Sequence, residues 1–303
     1  MVNFVSPDLA VSRIKSGSHI HLGSVASVPH ILIRALQKRA DAGEVRDLHF
    51  HHFHTEGPAP YSAPEYAGVF FEQGFFVGPN VRANVNAGYA DYLPAHLFET
   101  QAMYRSGALP CDVALVQVSP PDENGMVSLG TSVDCSIAAL DVAKLKIGVV
   151  NPHVPFAYGD LVPLDRFDYL VSDDTPLFTK AYAAPSETDR IIGQNCAQLV
   201  PDGACLQMGI GSLPNAVCAS LTGHKDLGLH TEMFADGALD LIEKGIINGA
   251  NKELDRGKVV ASFLLGSQKV YDFIDHNPSV LMRDIKYVND PYIIVKMEPI
   301  MKL

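Results

Sequence analysis

The chain has 303 residues, 47% hydrophobic and 19% charged, which suits one large or two ordinary domains and excludes a disordered chain. A formal net charge of −11 argues against a general nucleic-acid binder, because phosphate contacts need clustered Lys and Arg, but it leaves room for a local basic pocket that takes an anionic cofactor. No run of about 18 apolar residues suggests a membrane span, and the charged N-terminal stretch MVNFVSPDLAVSRIKSG lacks the apolar core of a signal peptide.

Five cysteines without a CxxC pair read as buried thiols in a reducing compartment, so a soluble cytoplasmic protein is expected. In chain order, HIHLG (19–23) reads as a strand entering a glycine turn. PHILIRALQKRADAG (29–43) has helical apolar spacing, with Pro29 at its start and Gly43 at its end. VRDLHFHHFH (45–54) returns to strand composition. A buried strand is expected over 111–118, then a turn at Asp122–Gly125 and a second short strand. KLKIGVVN (144–151) and FDYLVS (167–172) read as two more buried strands. This βαβ rhythm predicts an α/β fold with a largely parallel sheet.

Periodicity fades over 176–188, and a domain boundary is expected near 185. Ser186, three residues before Asp189, starts a helix in the capping manner, and ETDRIIGQNCAQLV continues it. The rhythm then restarts. ACLQMGIGSLPNAVCASL reads as strand, glycine loop and helix; DLGLHTEM as a strand over 227–230 running into a loop; KVVASFLLG as a further strand.

Three features point to chemistry. LHFHHFH holds His49, His51, His52 and His54; alternation puts the first two on one strand face and the others on the opposite face. A His-x-His pair can hold zinc only with a third ligand aimed at the same point, so the preferred reading is no metal, with histidines bonded to neighbouring loops at a cleft. QMGIGSLPNAV (207–217) is neither GxGxxG nor a P-loop; it is an ordinary βα turn or one whose backbone N–H groups receive an anion or oxyanion. The tripeptide His-Thr-Glu occurs twice, with Glu56 and with Glu232. Glu232 is expected at a strand end beside the glycine loop, where a carboxylate and outward N–H donors suit covalent catalysis; a solvated or helix-capping glutamate is the alternative.

QMGIGSLPNAV followed by GLHTEMFADG resembles the acetyl-CoA hydrolase/transferase family, most of all its 4-hydroxybutyrate/butyrate CoA-transferase branch. FVGPNVRANVNAGYADYLP (76–94), DVALVQVSPPDENGMVSLGTSVD (112–134) and VLMRDIKYVNDPYII (280–294) agree with it. The resemblance implies two α/β domains of the NagB/RpiA/CoA-transferase type, 1–185 and 186–303, with the active site between them. It implies that Glu232 is the nucleophile, that Gly209, Ile210, Gly211, Ser212 and Leu213 form the CoA-binding loop, and that the Ile210 N–H is an oxyanion donor. Glu56 then helps shape the acyl or carboxylate pocket, with His30, His54, Arg82 and Asn84 as further pocket candidates. Arg82 either pairs with a carboxylate substrate or is an ordinary surface arginine.

The resemblance further implies ping-pong transfer of CoA, with acyl-CoA and a small carboxylate as substrates, no permanently bound cofactor, and a homo-oligomer. Acetate, butyrate, 4-hydroxybutyrate and dicarboxylates such as itaconate all fit, and hydrolysis is an alternative outcome. The tail VKMEPIMKL departs from the family pattern after about Ile294. A truncated, incomplete second domain is therefore expected, and an inactive fragment of a CoA-transferase is a further alternative to the active enzyme.

Overall fold

The computed structural model describes residues 4–297 and, for the backbone, 300–302. They form two compact units. The first runs to Phe156 and resumes over Leu161–Phe178; the second comprises Ala157–Asp160 and the chain from Thr179 onward. The division thus falls at Phe178, against an expected boundary near 185. Residues just after it already bond within the second unit, as the Lys180 N–H does to the Gly266 carbonyl at 2.9 Å.

The first unit holds β1 (His19–Leu22), β2 (Leu48–His52), β3 (Phe70–Gly74), β4 (Ala90–Tyr92), β5 (Val113–Val118), β6 (Met126–Val127), β7 (Leu145–Val150), β8 (Val162–Pro163) and β9 (Tyr169–Ser172). Seven of these make a parallel sheet in the order β4-β3-β2-β1-β5-β7-β9, and β6 pairs antiparallel with β8. All six residues of β5 are buried, as expected for a strand covered on both faces. The helix His30–Asp41 lays Leu32, Ile33, Ala35 and Leu36 on this sheet with Ile20, Leu22, Leu48 and Phe50. Pro29 is its N-cap rather than its first residue. The chain reverses direction across the sheet between β1 and β5, the kind of switch point where α/β sheets bind ligands at strand C-termini.

The second unit holds β10 (Cys205–Gln207), β11 (Gly228–Phe234), β12 (Val259–Leu264), β13 (Val280–Met282) and β14 (Ile300–Lys302). They form one parallel sheet in the order β13-β12-β11-β10-β14. The expected strand 227–230 therefore continues to Phe234. The capping box at Ser186 is present: the Asp189 N–H donates to Ser186 Oγ (3.1 Å) and the Ser186 N–H to Asp189 Oδ2 (2.9 Å). That helix, Glu187–Ala197, meets Ser212–Ser220 at Gly193, where an added Cβ would lie 2.6 Å from the Ala216 carbonyl oxygen.

Candidate active site

β10 stops at Gln207 while β11 continues for several residues. With Leu206 paired to Leu229, the later part of β11 runs beside the loop that begins at Met208. Thr231 fastens the two together. The Met208 N–H donates to Thr231 Oγ1 (3.0 Å), and that hydroxyl faces the carbonyls of Met208 (3.0 Å) and Met233 (2.9 Å). The loop therefore leaves the sheet at a fixed point next to Glu232.

Glu232 lies inside β11, not in a loop after it; Thr231 pairs with Ala261 and Met233 with Phe263 on either side. A catalytic carboxylate on a paired strand has a more exact position than one on a loop. Alternation turns His230 and Glu232 to one face and Thr231 and Met233 to the other. The helix Ile285–Asn289 covers the glutamate's face. There His230 Nε2 donates to the Val288 carbonyl (2.9 Å), and Asn289 Nδ2 donates to Glu232 Oε2. Burial pushes the His230 pKa down to about 4, so the ring is a neutral donor near pH 7. Glu232 itself is half-buried.

The glycine loop sits as the sequence suggests. Gly209 and Ile210 are exposed, and Gly211, at φ 117°, caps the helix Ser212–Ser220 with no side-chain bond to its first turn. That φ favours glycine whatever the surrounding space. Uncapped first-turn N–H groups, from Ser212 and Leu213 before Pro214, suit an anionic group. Five of the expected residues, Gly209 to Leu213, are thus gathered next to the Glu232 segment of β11.

In the first unit, His30, His54 and Glu56 come together beyond β1 and β2. His54 Nε2 lies 3.4 Å from Glu56 Oε1, and His30 Nε2 donates to the Glu56 carbonyl (3.0 Å). Burial lowers the His30 pKa, which keeps this ring neutral too. Asn84 and Arg82 bond elsewhere: Asn84 Nδ2 donates to Ser62 Oγ (2.9 Å), and the exposed Arg82 donates to the Val77 carbonyl at 3.4 Å. Both His-Thr-Glu copies use a buried threonine hydroxyl to hold a loop. Thr55 Oγ1 lies 2.6 Å from the Tyr61 hydroxyl and accepts from Asn80 Nδ2.

The histidines on β2 alternate as expected; His49 Nε2 meets Asp47 Oδ1 (3.0 Å) in the loop before the strand, as the sequence suggests, whereas His51 and His52 face neighbouring strands. His49 stacks on His19 with ring centroids 4.6 Å apart, and His51 Nε2 meets Gln73 Oε1 at 3.1 Å. On the other face, buried His52 lies 3.1 Å from buried Glu72. Among the described residues, His21, Asp134 and Cys135 are the one group of ligand atoms close enough to share a metal. Their donors are already engaged: His21 bonds Tyr104 (3.1 Å) and Ser136 (2.9 Å), and Asp134 accepts from Ser132 and Ser136.

Residues 2–179 match the acetyl-CoA hydrolase/transferase N-terminal domain, and residues 266–303 match the C-terminal domain of the same family. The chain belongs to the acetyl-CoA hydrolase/transferase family. The family match runs to residue 303, so the tail after Ile294 does not depart from the pattern as the sequence suggests. A 4-hydroxybutyrate coenzyme A transferase of Clostridium kluyveri is 38% identical over 293 residues, covering 96% of this chain and 68% of that protein. A succinyl-CoA:acetate/propanoyl-CoA:succinate CoA transferase of Fasciola hepatica is 39% identical, covering 93% of this chain and 59% of that one.

Among solved structures, RipA from Yersinia pestis superposes with a TM-score of 0.93 at 32% identity. A 4-hydroxybutyrate CoA-transferase from Porphyromonas gingivalis gives 0.86 at 35%. Each comparison covers 99% of this chain and 72% of the other. The chain thus spans roughly three fifths to three quarters of these relatives' lengths. Sequence reasoning misses two residues of the site. Asn289 lies in the familial stretch 280–294, and Thr231 in the repeated tripeptide itself, but neither shows its partner locally.

Proposed function

We propose that this chain transfers CoA from an acyl-CoA to a small carboxylate of the acetate, butyrate or 4-hydroxybutyrate kind, through a glutamyl-CoA thioester on Glu232. The observation that carries the reading is the half-buried Glu232 carboxylate, set on a paired strand and held by Asn289, next to an uncapped glycine loop. The names of the relatives support the same reaction class.

In this mechanism a Glu232 oxygen attacks the thioester carbonyl. The tetrahedral oxyanion takes a hydrogen bond from the Ile210 N–H, then collapses and expels CoA thiolate, leaving an acyl-glutamyl anhydride. The thiolate attacks the glutamyl carbonyl, and the donor's acyl group leaves as a carboxylate. The enzyme now carries glutamyl-CoA. An acceptor carboxylate reverses the sequence and departs as the new acyl-CoA, which gives ping-pong kinetics. CoA enters as a substrate rather than as a resident cofactor. An oxyanion donor of this kind contributes about 10²–10³ in rate.

Intact-protein mass spectrometry after mixing with butyryl-CoA tests the reading. A covalent CoA adduct on the wild-type chain, absent from Glu232→Ala, is expected; a well-folded wild type that forms none overturns it. Addition of acetate then separates transfer, which yields acetyl-CoA, from hydrolysis, which yields free CoA.

A further inference from the structure

Ser262 stands on β12 between Ala261 and Phe263, the residues that pair with Thr231 and Met233. It is therefore opposite Glu232 in the ladder, and opposite residues of parallel strands share a face. The other five residues of this strand, Val259, Val260, Ala261, Phe263 and Leu264, are apolar, and all six are buried. Ser262 is the polar exception. Its side chain is 0% exposed, and its hydroxyl has no hydrogen-bond partner among the described residues.

An unpaired buried hydroxyl costs stability, and alanine or valine would fill a covered strand without that cost. The position thus carries a donor left without a partner in the side-chain rotamer described, one strand away from the candidate nucleophile. Neighbouring strands lie about 4.8 Å apart, so a change of the Ser262 side-chain rotamer can carry Oγ to a carboxylate on the next strand.

We infer that Ser262 is a positioning residue for Glu232, resting on the thioester reading above. Asn289 Nδ2 already donates to Glu232 Oε2. By a change of side-chain rotamer the Ser262 hydroxyl donates to the carboxylate and orients it for attack. When Glu232 becomes a thioester, the same O–H serves its carbonyl oxygen, and when that carbonyl is attacked it serves the developing oxyanion. The glutamyl group alternates between charged and neutral forms through the cycle. A neutral hydroxyl can bond to both, whereas a buried lysine or arginine would hold the carboxylate ionised and resist acylation. No proton leaves Ser262 in any step.

Two measurements test this. The first follows adduct formation from butyryl-CoA in Ser262→Ala and in Ser262→Thr, which keeps the hydroxyl. Ser262→Ala is expected to lower the maximal rate of adduct formation about tenfold or more while half-saturation by butyryl-CoA stays within about twofold, and Ser262→Thr is expected to recover most of the rate. An unchanged rate in Ser262→Ala overturns the inference, as does a loss confined to half-saturation.

The second is a double-mutant cycle of Ser262→Ala with Glu232→Gln, read by urea unfolding at pH 7, which requires no catalysis. A hydroxyl bonded to the carboxylate makes the effects on the unfolding constant depart from multiplicativity by about fivefold or more. Agreement within about twofold overturns the bond. If the wild type forms no adduct, the transferase reading fails, while the cycle still decides whether Ser262 serves Glu232.

Discussion

A carboxylate becomes a useful nucleophile when it is held in one geometry and partly stripped of water. Asn289 supplies the hold on Glu232, so Asn289→Ala should slow CoA-adduct formation about 10–100-fold, the usual worth of a hydrogen bond to a charged group. Asn289→Asp should do worse. It sets a second carboxylate against the first and raises the pKa of the pair, and initial rates of adduct formation between pH 6 and 8 will show this. Thr231 acts one step back, through the loop. Thr231→Val strands the Met208 N–H, and urea unfolding should report a loss of about 1–3 kcal/mol, with Thr231→Ser losing much less. The two hydroxyls of the repeated tripeptide thus do the same work at Thr55 and Thr231, and the glutamate of the second copy accepts from Asn289.

The helices Glu187–Ala197 and Ser212–Ser220 touch through Gly193, and the second of them opens on the glycine loop. Gly193→Ala improves helix propensity by up to about 1 kcal/mol, yet it drives a Cβ to 2.6 Å from the backbone oxygen of Ala216. Overpacking wins, and the expected outcome in urea unfolding is a net loss of about 1–3 kcal/mol. The histidines of the two sheets set an acid limit. Burial lowers His21 and His230 to about 4 and His51 to about 3, from an ordinary value of 6.5. Above pH 6.5 they are neutral in the folded and the unfolded chain alike, and no stability is at stake. Below it the unfolded chain takes up protons that the folded chain refuses. Each histidine then costs up to about 1.4 kcal/mol per pH unit until pH nears 4. His51→Gln should flatten the fall measured between pH 6 and 4.5 by that amount. Legibility in the sequence follows the same physics. β5, β7 and β12 are near-continuous apolar runs and can be read directly, whereas β3 carries buried Glu72 and β4 exposes two of its three residues. β11 appears to stop at His230 because Thr-Glu interrupts its apolar run. The helix that shelters that pair comes 57 residues later, where no local pattern can show it.

One short segment belongs to the second unit although its sequence lies within the first. Tyr158, Gly159 and Asp160 run alongside β13, the outer strand of the second sheet. Met282 N–H donates to the Tyr158 carbonyl (2.7 Å), Asp160 N–H to the Met282 carbonyl (2.9 Å), and Asp284 N–H to Asp160 Oδ2 (2.7 Å). An exposed parallel edge is thereby paired, which removes a site for unwanted strand addition. Asp284 in turn caps the helix Ile285–Asn289 by accepting the Tyr287 N–H (2.9 Å), and that helix ends in the asparagine on Glu232. The support of the candidate nucleophile thus reaches back to residue 160. Gly159 is the sensitive link: its φ is 124°, and an added Cβ would sit 2.1 Å from the Met282 carbonyl oxygen. Gly159→Val, branched at that carbon, cannot keep the pairing. Hydrogen exchange should show protection lost at Met282 and Asp284 and kept in the central strands β1 and β5 of the first unit. Adduct formation at Glu232 should fall with it, because the helix bearing Asn289 loses its anchored start. Full protection at Met282 in the variant would show that the edge holds itself. Unchanged adduct formation despite lost protection would show that Asn289 is placed by His230 and Val288 alone.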